Sequence, residues 1–140
     1  DLNSSSIGIE IDNNGNEPFS ESQINSLLQV LEKLKKAFGI PAKHFIGHAD
    51  IAPGRKVDPS RFFPWDKLAE KGYGIWYDTA QTQVPEDFNP LLALRIIGYD
   101  IAKPNNAIQS YKIHFVPADT TTTITNSDRK ILYSLMQKSL

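Results

Sequence analysis

The sequence predicts an α/β unit followed by a small module of three helices. An isoleucine-rich segment at residues 6–11 is typical of a strand, a helical pattern follows from Ser20, and a second short strand is predicted from Ile40 to Gly47. This order of strand, helix and strand fits a sheet with a crossover helix. We therefore expect residues 1–78 to form the α/β unit, residues 79–90 to form a linker, and residues 91–140 to form the helical module.

The helices of the first unit have recognisable starts and ends. Ser20 and Gln23 fit a capping box, and Gly39 follows the last apolar position of the same pattern. A second helix is predicted over residues 61–71, with Pro64 near its first turn. Between these elements, the chain should carry its functional groups at the strand ends and in the loops that follow them.

The C-terminal module follows a polar segment that contains Pro85 and Pro90. Helical patterns are predicted over residues 89–97, over residues 105–115, and from Asn126 or Ser127 to Lys138. Three helices in about fifty residues bury little apolar surface on their own. We therefore expect this module to pack on the first unit.

Composition excludes several classes of protein. The chain has 140 residues, a net charge of −1 and no cysteine. Disulfides and thiolate metal sites are thereby excluded, and the absence of a basic run argues against a nucleic-acid partner. No apolar stretch approaches the roughly 20 residues that a membrane-spanning helix needs.

The most informative segment is the loop from Gly47 to Pro59. His48 and Asp58 carry donor groups that zinc commonly binds. Pro53 and Gly54 form a turn between them, which can fold the two donors onto one metal ion. Lys56 adds a cation on the same side as Asp58, a combination that suits hydrolysis of a carbonyl group.

The run GHADIAPGRKVDP resembles the zinc-binding loop of the type 2 N-acetylmuramoyl-L-alanine amidases, a family of the peptidoglycan-recognition-protein-like superfamily. Residues 6–11 resemble the family's central strand, residues 63–65 and 72–76 resemble the end of its catalytic domain, and residues 91–140 resemble a peptidoglycan-binding-like domain. The resemblance implies a mixed central sheet flanked by helices. It also implies zinc-dependent cleavage of the amide between N-acetylmuramic acid and L-alanine in peptidoglycan or muropeptides.

The resemblance assigns a role to each residue of the candidate site. His48 and Asp58 would bind Zn²⁺, Glu10 would act as the general base, and Lys56 would stabilise the oxyanion. Asp50 would orient the loop or support a ligand. The residues that bind the substrate are left unassigned.

One departure from the family concerns the third zinc ligand. Family members use a histidine on an early strand before the glutamate, and no histidine precedes Glu10 here. We expect that ligand on an N-terminal segment outside this chain, with His44 as a conceivable substitute. A smaller departure is Ser60, which stands where the family usually has glycine, so that this turn is less permissive.

Structural explanations compete with the functional ones at several positions. Asp58 could cap the turn at Pro59, and Glu10 could point to solvent from an edge strand. His114 is expected to pack within the helical module, far from the loop. Trp65 and Trp76 could line a sugar groove, although apolar packing is the commoner role for tryptophan.

Two other functions remain open from the sequence. The chain could bind muropeptides without cutting them, and the zinc site could be purely structural, although Lys56 and the lack of a fourth protein ligand argue against the latter. The additional C-terminal module favours the cell envelope or periplasm, with a cytoplasmic recycling enzyme as the alternative. Whether the substrate is intact glycan, a muropeptide or its 1,6-anhydro form is not fixed.

Overall fold

The computed structural model of the protein describes residues 5–140. Six α-helices have defined bounds in this part of the chain, and a single 3₁₀ turn, Ala42–His44, lies between the first and second. The helices are α1 (Glu21–Phe38), α2 (His48–Ile51), α3 (Trp65–Glu70), α4 (Pro90–Ile97), α5 (Pro104–Phe115) and α6 (Asn126–Ser139).

Helix α1 begins and ends as its sequence predicts. The Ser20 hydroxyl accepts a hydrogen bond from the Gln23 N–H at 3.1 Å. The Gln23 side chain accepts one from the Ser20 N–H at 3.0 Å, which completes the capping box. Gly39 ends the helix in the left-handed conformation with φ of 62°, where glycine has no steric penalty.

The predicted central sheet is wrong: no strand occurs between residues 5 and 140. Residues 6–14 have no regular secondary structure, and Ile7 and Ile9 are 53% and 42% exposed. A strand needs a neighbouring strand to pair its backbone groups, and none lies beside this segment in the described chain. Isoleucine has a high propensity for β-structure, but this propensity does not show whether another strand is available for pairing.

The second predicted strand, from Ile40 to Gly47, is also wrong. Its centre forms the 3₁₀ turn, in which the Phe45 N–H donates to the Ala42 carbonyl at 3.2 Å. The same carbonyl accepts from the Gly74 N–H at 2.9 Å. The backbone groups of this segment are thus satisfied by a local turn and by one distant residue, and not by a strand ladder.

The first part of the chain packs around a small aromatic cluster. The helix predicted over residues 61–71 is confirmed in the shorter form of α3, because Pro64 precedes its first residue and residues 61–63 form a turn. Helices α1 and α3 contribute most of the buried side chains, and Phe63 contacts Trp65 edge-on at 4.8 Å. The buried members of this first cluster are Leu27, Leu31, Phe63, Trp65, Leu68 and Tyr73.

The three predicted C-terminal helices are confirmed. Asn89 caps α4 by accepting hydrogen bonds from the N–H groups of Leu91 and Leu92. Helix α6 is capped by Thr125, one residue before the predicted Asn126, in a capping box with Asp128. Helix α4 packs against α6 and α5, and the residues with no exposed surface in this second cluster are Ala93, Leu94, Ala107, Tyr111, Leu132 and Leu135.

The helical module packs on the first part of the chain, as expected from its small size. Helices α2 and α3 both contact α5. Trp76 packs against both clusters, and its carbonyl accepts a hydrogen bond from the Lys138 ammonium at 2.6 Å. The division at residues 78 and 91 stays a prediction. No described helix is long and apolar enough to cross a bilayer.

A buried lysine organises the connection between α5 and α6. The Lys112 side chain is 2% exposed, and its ammonium donates to the Asp119 carboxylate at 2.7 Å and to the Thr123 carbonyl at 2.6 Å. Asp128 lies 3.4 Å from the same ammonium. A charge removed from water in this way is tolerated because it is paired and hydrogen-bonded. The Lys112 hydrogen bond, followed by those from Thr121, lowers the pKa of Asp119 from 3.8 to about 2.

This lowered pKa predicts a loss of stability in acid. The folded state favours the Asp119 carboxylate, so its contribution is complete above pH 3.8 and is lost as the pH falls toward 2. In urea unfolding at pH 5, the free energy of unfolding should therefore be lower for Asp119→Asn than for the wild type. This difference should become smaller at pH 2. Asp87→Asn removes an exposed carboxylate that forms no ion pair with Lys112, and serves as the control. A difference in the free energy of unfolding that does not change with pH would contradict the lowered pKa of Asp119.

Candidate active site

The loop between Gly47 and Pro59 brings its two predicted metal ligands together. The Ala49 N–H donates to the Asp58 carbonyl at 2.8 Å, which closes the loop at its base. The His48 Nδ1 atom then lies 3.2 Å from the Asp58 Oδ2 atom. Both side chains are open to solvent, with 47% and 63% of their surfaces exposed. Two donors ten residues apart therefore meet at an accessible position on the surface.

The separation of these two donors suits a shared zinc ion. Zinc lies about 2.0–2.2 Å from imidazole nitrogen and carboxylate oxygen, so two ligands of a tetrahedral ion are about 3.3–3.5 Å apart. His48 Nδ1 and Asp58 Oδ2 lie 3.2 Å apart and share a hydrogen bond, which is close to this separation. No group of three or more metal-binding side chains occurs among the described residues, and His44 therefore does not complete the set.

Lys56 is exposed in the same loop. Its backbone N–H donates to the Ala52 carbonyl at 3.0 Å, which fixes the turn around Pro53 and Gly54. No ion pair links its ammonium to Asp50 or Asp58 among the contacts of the described residues. Among the described residues, the Lys56 ammonium is therefore not paired with either carboxylate of the loop. Its role toward an oxyanion stays a prediction.

Glu10 lies on irregular backbone and is exposed. The sequence-based argument for its role began from a glutamate buried in a strand, where an unpaired charge is costly. Since residues 6–14 form no strand, that argument does not apply to this structure. The assignment of Glu10 as general base rests on the family resemblance and stays a prediction.

Asp50 is the buried charged residue of the loop. Its Oδ2 atom accepts a hydrogen bond from the Gly47 N–H at 2.8 Å and lies 2.8 Å from the Nδ1 atom of His114. Its Oδ1 atom accepts the hydroxyl hydrogen of Tyr99 at 2.7 Å. Asp50 thus holds the residue before His48 and contacts two side chains of the helical module. Its influence on metal binding stays a prediction.

The prediction that His114 lies far from the loop is wrong. His114 is buried, and it contacts Asp50 across 64 residues of sequence. Its ring stacks on Trp65 with centroids 4.1 Å apart and planes inclined by 12°. Trp65 is only 6% exposed, which supports apolar packing for this residue over a place in a sugar groove.

Tyr99 is a site residue that the sequence did not indicate. It lies two residues after the end of α4, and its hydroxyl contacts Asp50 across 49 residues of sequence. Burial, and then the neighbouring Asp50 carboxylate, raise the pKa of Tyr99 well above 10. The phenol therefore stays protonated as a hydrogen-bond donor at neutral pH. An isolated tyrosine in an apolar helical module carries no signal of such a partner.

The turn after Asp58 has the strain that its sequence predicts. Ser60 has a φ of 82°, in the left-handed region that residues other than glycine rarely adopt. Its N–H donates to the Val57 carbonyl at 2.9 Å, which keeps the turn closed. Serine in place of glycine therefore makes this turn less permissive.

Comparisons with known proteins show similarity to amidases in the part of the chain that contains this loop. Residues 1–61 match the family described as N-acetylmuramoyl-L-alanine amidase. The chain is similar to the N-acetylmuramoyl-L-alanine amidase AmiD of Escherichia coli, with 34% identity covering 83% of this chain and 51% of AmiD. It is also similar to the 1,6-anhydro-N-acetylmuramyl-L-alanine amidase AmpD of Haemophilus influenzae, with 35% identity over 46% of this chain and 36% of AmpD. The chain is thus similar to N-acetylmuramoyl-L-alanine amidases over residues 1–61 and, in the comparison with AmiD, over most of its length.

Solved structures of amidases are also similar to this chain over most of its length. AmpDh3 of Pseudomonas aeruginosa, solved in complex with an anhydromuramic pentapeptide, matches with a TM-score of 0.76 and 31% identity over 87% of this chain and 55% of AmpDh3. Escherichia coli AmiD, solved with anhydro-N-acetylmuramic acid-L-Ala-D-γ-Glu-L-Lys, matches with a TM-score of 0.73 and 27% identity over 86% of this chain and 53% of AmiD. The chain thus spans about half the length of AmiD and of AmpDh3. Each match covers more of the chain than residues 1–78, so the similarity extends into the helical module.

The contact between the loop and α5 yields a prediction about Gly54. Its φ is +80°, and an added Cβ would lie 2.7 Å from the Cγ atom of Asn106. Gly15 has a similar φ of +85° with no atom within 4 Å of an added Cβ. Gly15→Ala should cost about 1–2 kcal/mol from backbone strain alone. Gly54→Ala should cost about 1–3 kcal/mol more, because Asn106 must move or the loop must leave α5.

Urea unfolding at neutral pH measures both costs. Gly54→Ala should lose more unfolding free energy than Gly15→Ala. Adding Asn106→Ala should recover this additional loss, since it removes the side-chain atoms that the new methyl group contacts. Equal losses in Gly15→Ala and Gly54→Ala would show that the loop does not press on α5.

Proposed function

We propose that the protein hydrolyses the amide bond between the lactyl group of N-acetylmuramic acid and L-alanine in peptidoglycan or muropeptides. The observation that carries this proposal is the exposed pair of His48 and Asp58, 3.2 Å apart, within the residues that match the amidase family. The similarity to AmiD and AmpDh3, both solved with anhydromuramic peptides, supports a muropeptide substrate.

His48 and Asp58 would hold a zinc ion as two members of a larger ligand set. Their donor types and their spacing fit the metal, and catalytic zinc sites generally use three protein ligands. When bound, zinc polarises the amide carbonyl and makes water a stronger nucleophile at neutral pH. The side chain that completes the set is not among the described residues that surround this pair.

Glu10 and Lys56 would supply the proton transfer and the positive charge. An exposed carboxylate such as that of Glu10 can accept the proton of the attacking water and return it to the departing amine of L-alanine. The Lys56 ammonium, which is not neutralised by Asp50 or Asp58, would stabilise the negative charge that develops on the carbonyl oxygen. Cleavage then yields the free peptide and the muramic acid carboxylate.

The helical module would act together with this site as the peptidoglycan-binding-like part of the enzyme. Its contacts with Trp76 and Asp78 keep it against the first part of the chain. Because of this additional module, we place the protein in the cell envelope or periplasm and not among cytoplasmic recycling enzymes. A muropeptide or its 1,6-anhydro form is the favoured substrate, given the ligands bound to the structural neighbours.

One observation favours a second candidate function. No group of three metal-binding side chains occurs among the described residues, and the pair of His48 and Asp58 is exposed. Two protein ligands hold zinc weakly, and such a surface could bind a muropeptide without cutting it. Binding without hydrolysis is therefore the alternative that any assay must separate from catalysis.

The first experiment follows release of the L-alanine amino group from a muramoyl pentapeptide, with and without added zinc. We expect release that depends on zinc and is lost in His48→Ala and in Asp58→Ala. Zinc affinity should fall at least about tenfold in both variants. His44→Ala is the matched control, because His44 is exposed nearby but does not join a metal-binding group. Peptide binding without release, in the presence of zinc, would favour the alternative.

A second experiment tests Glu10 alone. Glu10→Gln should lower kcat by about 10²–10⁴-fold, the range that a general base contributes. Zinc affinity should change little, since Glu10 is not proposed to bind the metal. Glu17→Gln neutralises another exposed glutamate and should keep full activity. Full turnover in Glu10→Gln would exclude it as the base.

A further inference from the structure

We infer that Tyr99 and His114 are positioning residues, through which the helical module fixes the loop that carries His48 and Asp58. Asp50 is the connecting group, because it contacts both of these side chains and the backbone of the loop. Where this inference concerns catalysis, it rests on the proposed amidase function. Where it concerns the geometry of the loop, it stands on the structure alone.

The connection runs through a single carboxylate. One oxygen of Asp50 accepts the Tyr99 hydroxyl at 2.7 Å, and the other accepts the Gly47 N–H at 2.8 Å. The second oxygen also lies 2.8 Å from the Nδ1 atom of His114. An ionised carboxylate can only accept, so this nitrogen carries the hydrogen of the bond. Because Gly47 directly precedes His48, the start of α2 is tied to both module side chains.

Close packing around Gly47 reinforces this connection. A Cβ added to Gly47 would lie 2.8 Å from the Cδ atom of Pro59 and 3.1 Å from the Cζ2 atom of Trp65. Pro59 follows Asp58, and Trp65 stacks on the His114 ring. Gly47 precedes His48 and Pro59 follows Asp58, so the residues next to both predicted ligands pack closely together near Trp65. Little free volume is left for the loop to shift.

Packing alone does not explain a histidine at this position. The Nε2 atom of His114 is buried and has no hydrogen-bond partner among the described residues. A buried polar atom without a partner is unfavourable, and an apolar side chain of similar size would avoid the cost. The hydrogen bond from Nδ1 to Asp50 is the interaction that a histidine provides here and that an apolar side chain does not.

The module contains a matched control for this interaction. Tyr111 donates its hydroxyl to the buried Asp128 carboxylate at 2.8 Å, as Tyr99 does to Asp50. Both tyrosines are buried, and both bonds link a phenol to an aspartate. The Tyr111 bond lies within the helical module and does not involve the loop. Tyr111→Phe therefore loses a comparable bond without loss of the proposed connection.

The geometric test uses nuclear magnetic resonance of the full chain in Tyr99→Phe, His114→Leu, His114→Asn and Tyr111→Phe. Tyr99→Phe and His114→Leu should speed hydrogen exchange at the Gly47 amide by about tenfold or more and shift the His48 ring signals. In His114→Asn, the Gly47 exchange rate and the His48 ring signals should stay close to those of the wild type, because the asparagine amide can donate from near the position of Nδ1. Tyr111→Phe should leave both unchanged.

Each variant is measured well below its melting temperature, with circular dichroism confirming the helical fold. Tyr99→Phe removes one oxygen atom and keeps the ring, so it tests the inference even if His114→Leu does not fold. Gly47 exchange and His48 signals in Tyr99→Phe that match those in Tyr111→Phe would overturn the inference.

The catalytic test measures kcat and KM on a muramoyl pentapeptide with saturating zinc. Tyr99→Phe and His114→Leu should lower kcat by about tenfold to a hundredfold, as expected for misplaced reacting groups, with little change in KM. His114→Asn should recover kcat, and Tyr111→Phe should retain it. Equal kcat in all variants would also overturn the inference. A wild type that does not hydrolyse the peptide contradicts the proposed function instead, and the resonance experiment then decides the inference.

Discussion

The burial of the Asp50 carboxylate constrains the arrangement of the chain around the candidate site. A carboxylate removed from water is stable only when donors replace the lost hydration. Its donors come from three places: the backbone at Gly47, Tyr99 just beyond the end of α4, and His114 in the last turn of α5. Separation of the loop from the helical module would expose this group to water or leave it without partners. The loop and the module are therefore linked by a polar requirement as well as by apolar contact.

Apolar packing supplies the surroundings in which this polar contact is strong. Trp65 belongs to the first cluster but stacks on His114 of α5, and Trp76 packs against both clusters. These rings exclude water from the junction, and hydrogen bonds to charged groups are strengthened where water is absent. The hydrophobic contacts hold the two parts together without specifying an orientation, whereas the bonds to Asp50 fix which atoms meet.

The parts of the fold that could be predicted from sequence are those decided by near neighbours. The capping box of Ser20 and Gln23 acts within three residues and was predicted correctly, whereas the cap of the last helix is Thr125 and not the predicted Asn126 or Ser127. The predicted strands failed because a strand depends on residues elsewhere in the chain. The isoleucines at positions 7 and 9 have high β-propensity but lie exposed, without a strand to pair with in the described structure.

The same distinction applies to the candidate site. His48 and Asp58 are ten residues apart in one closed turn, so their meeting could be read from the loop itself. The contacts of Tyr99 and His114 with Asp50 span 49 and 64 residues. No periodicity or motif in this single sequence links those positions, and His114 was accordingly expected to lie far from the loop.

The contrast between the exposed ligand pair and its buried support is consistent with a hydrolytic site. In the proposed reaction, a metal ion, a water molecule and a peptide would all have to reach His48 and Asp58, and both side chains are open to solvent. Exposed side chains on a short loop would adopt many arrangements if nothing restrained the backbone. The restraint therefore has to lie beneath the surface, where Asp50 binds the backbone of Gly47 and both Trp65 and Pro59 pack closely against the same residue. Accessibility and rigidity are divided between the two faces of one loop, and the helical module supplies the rigid face.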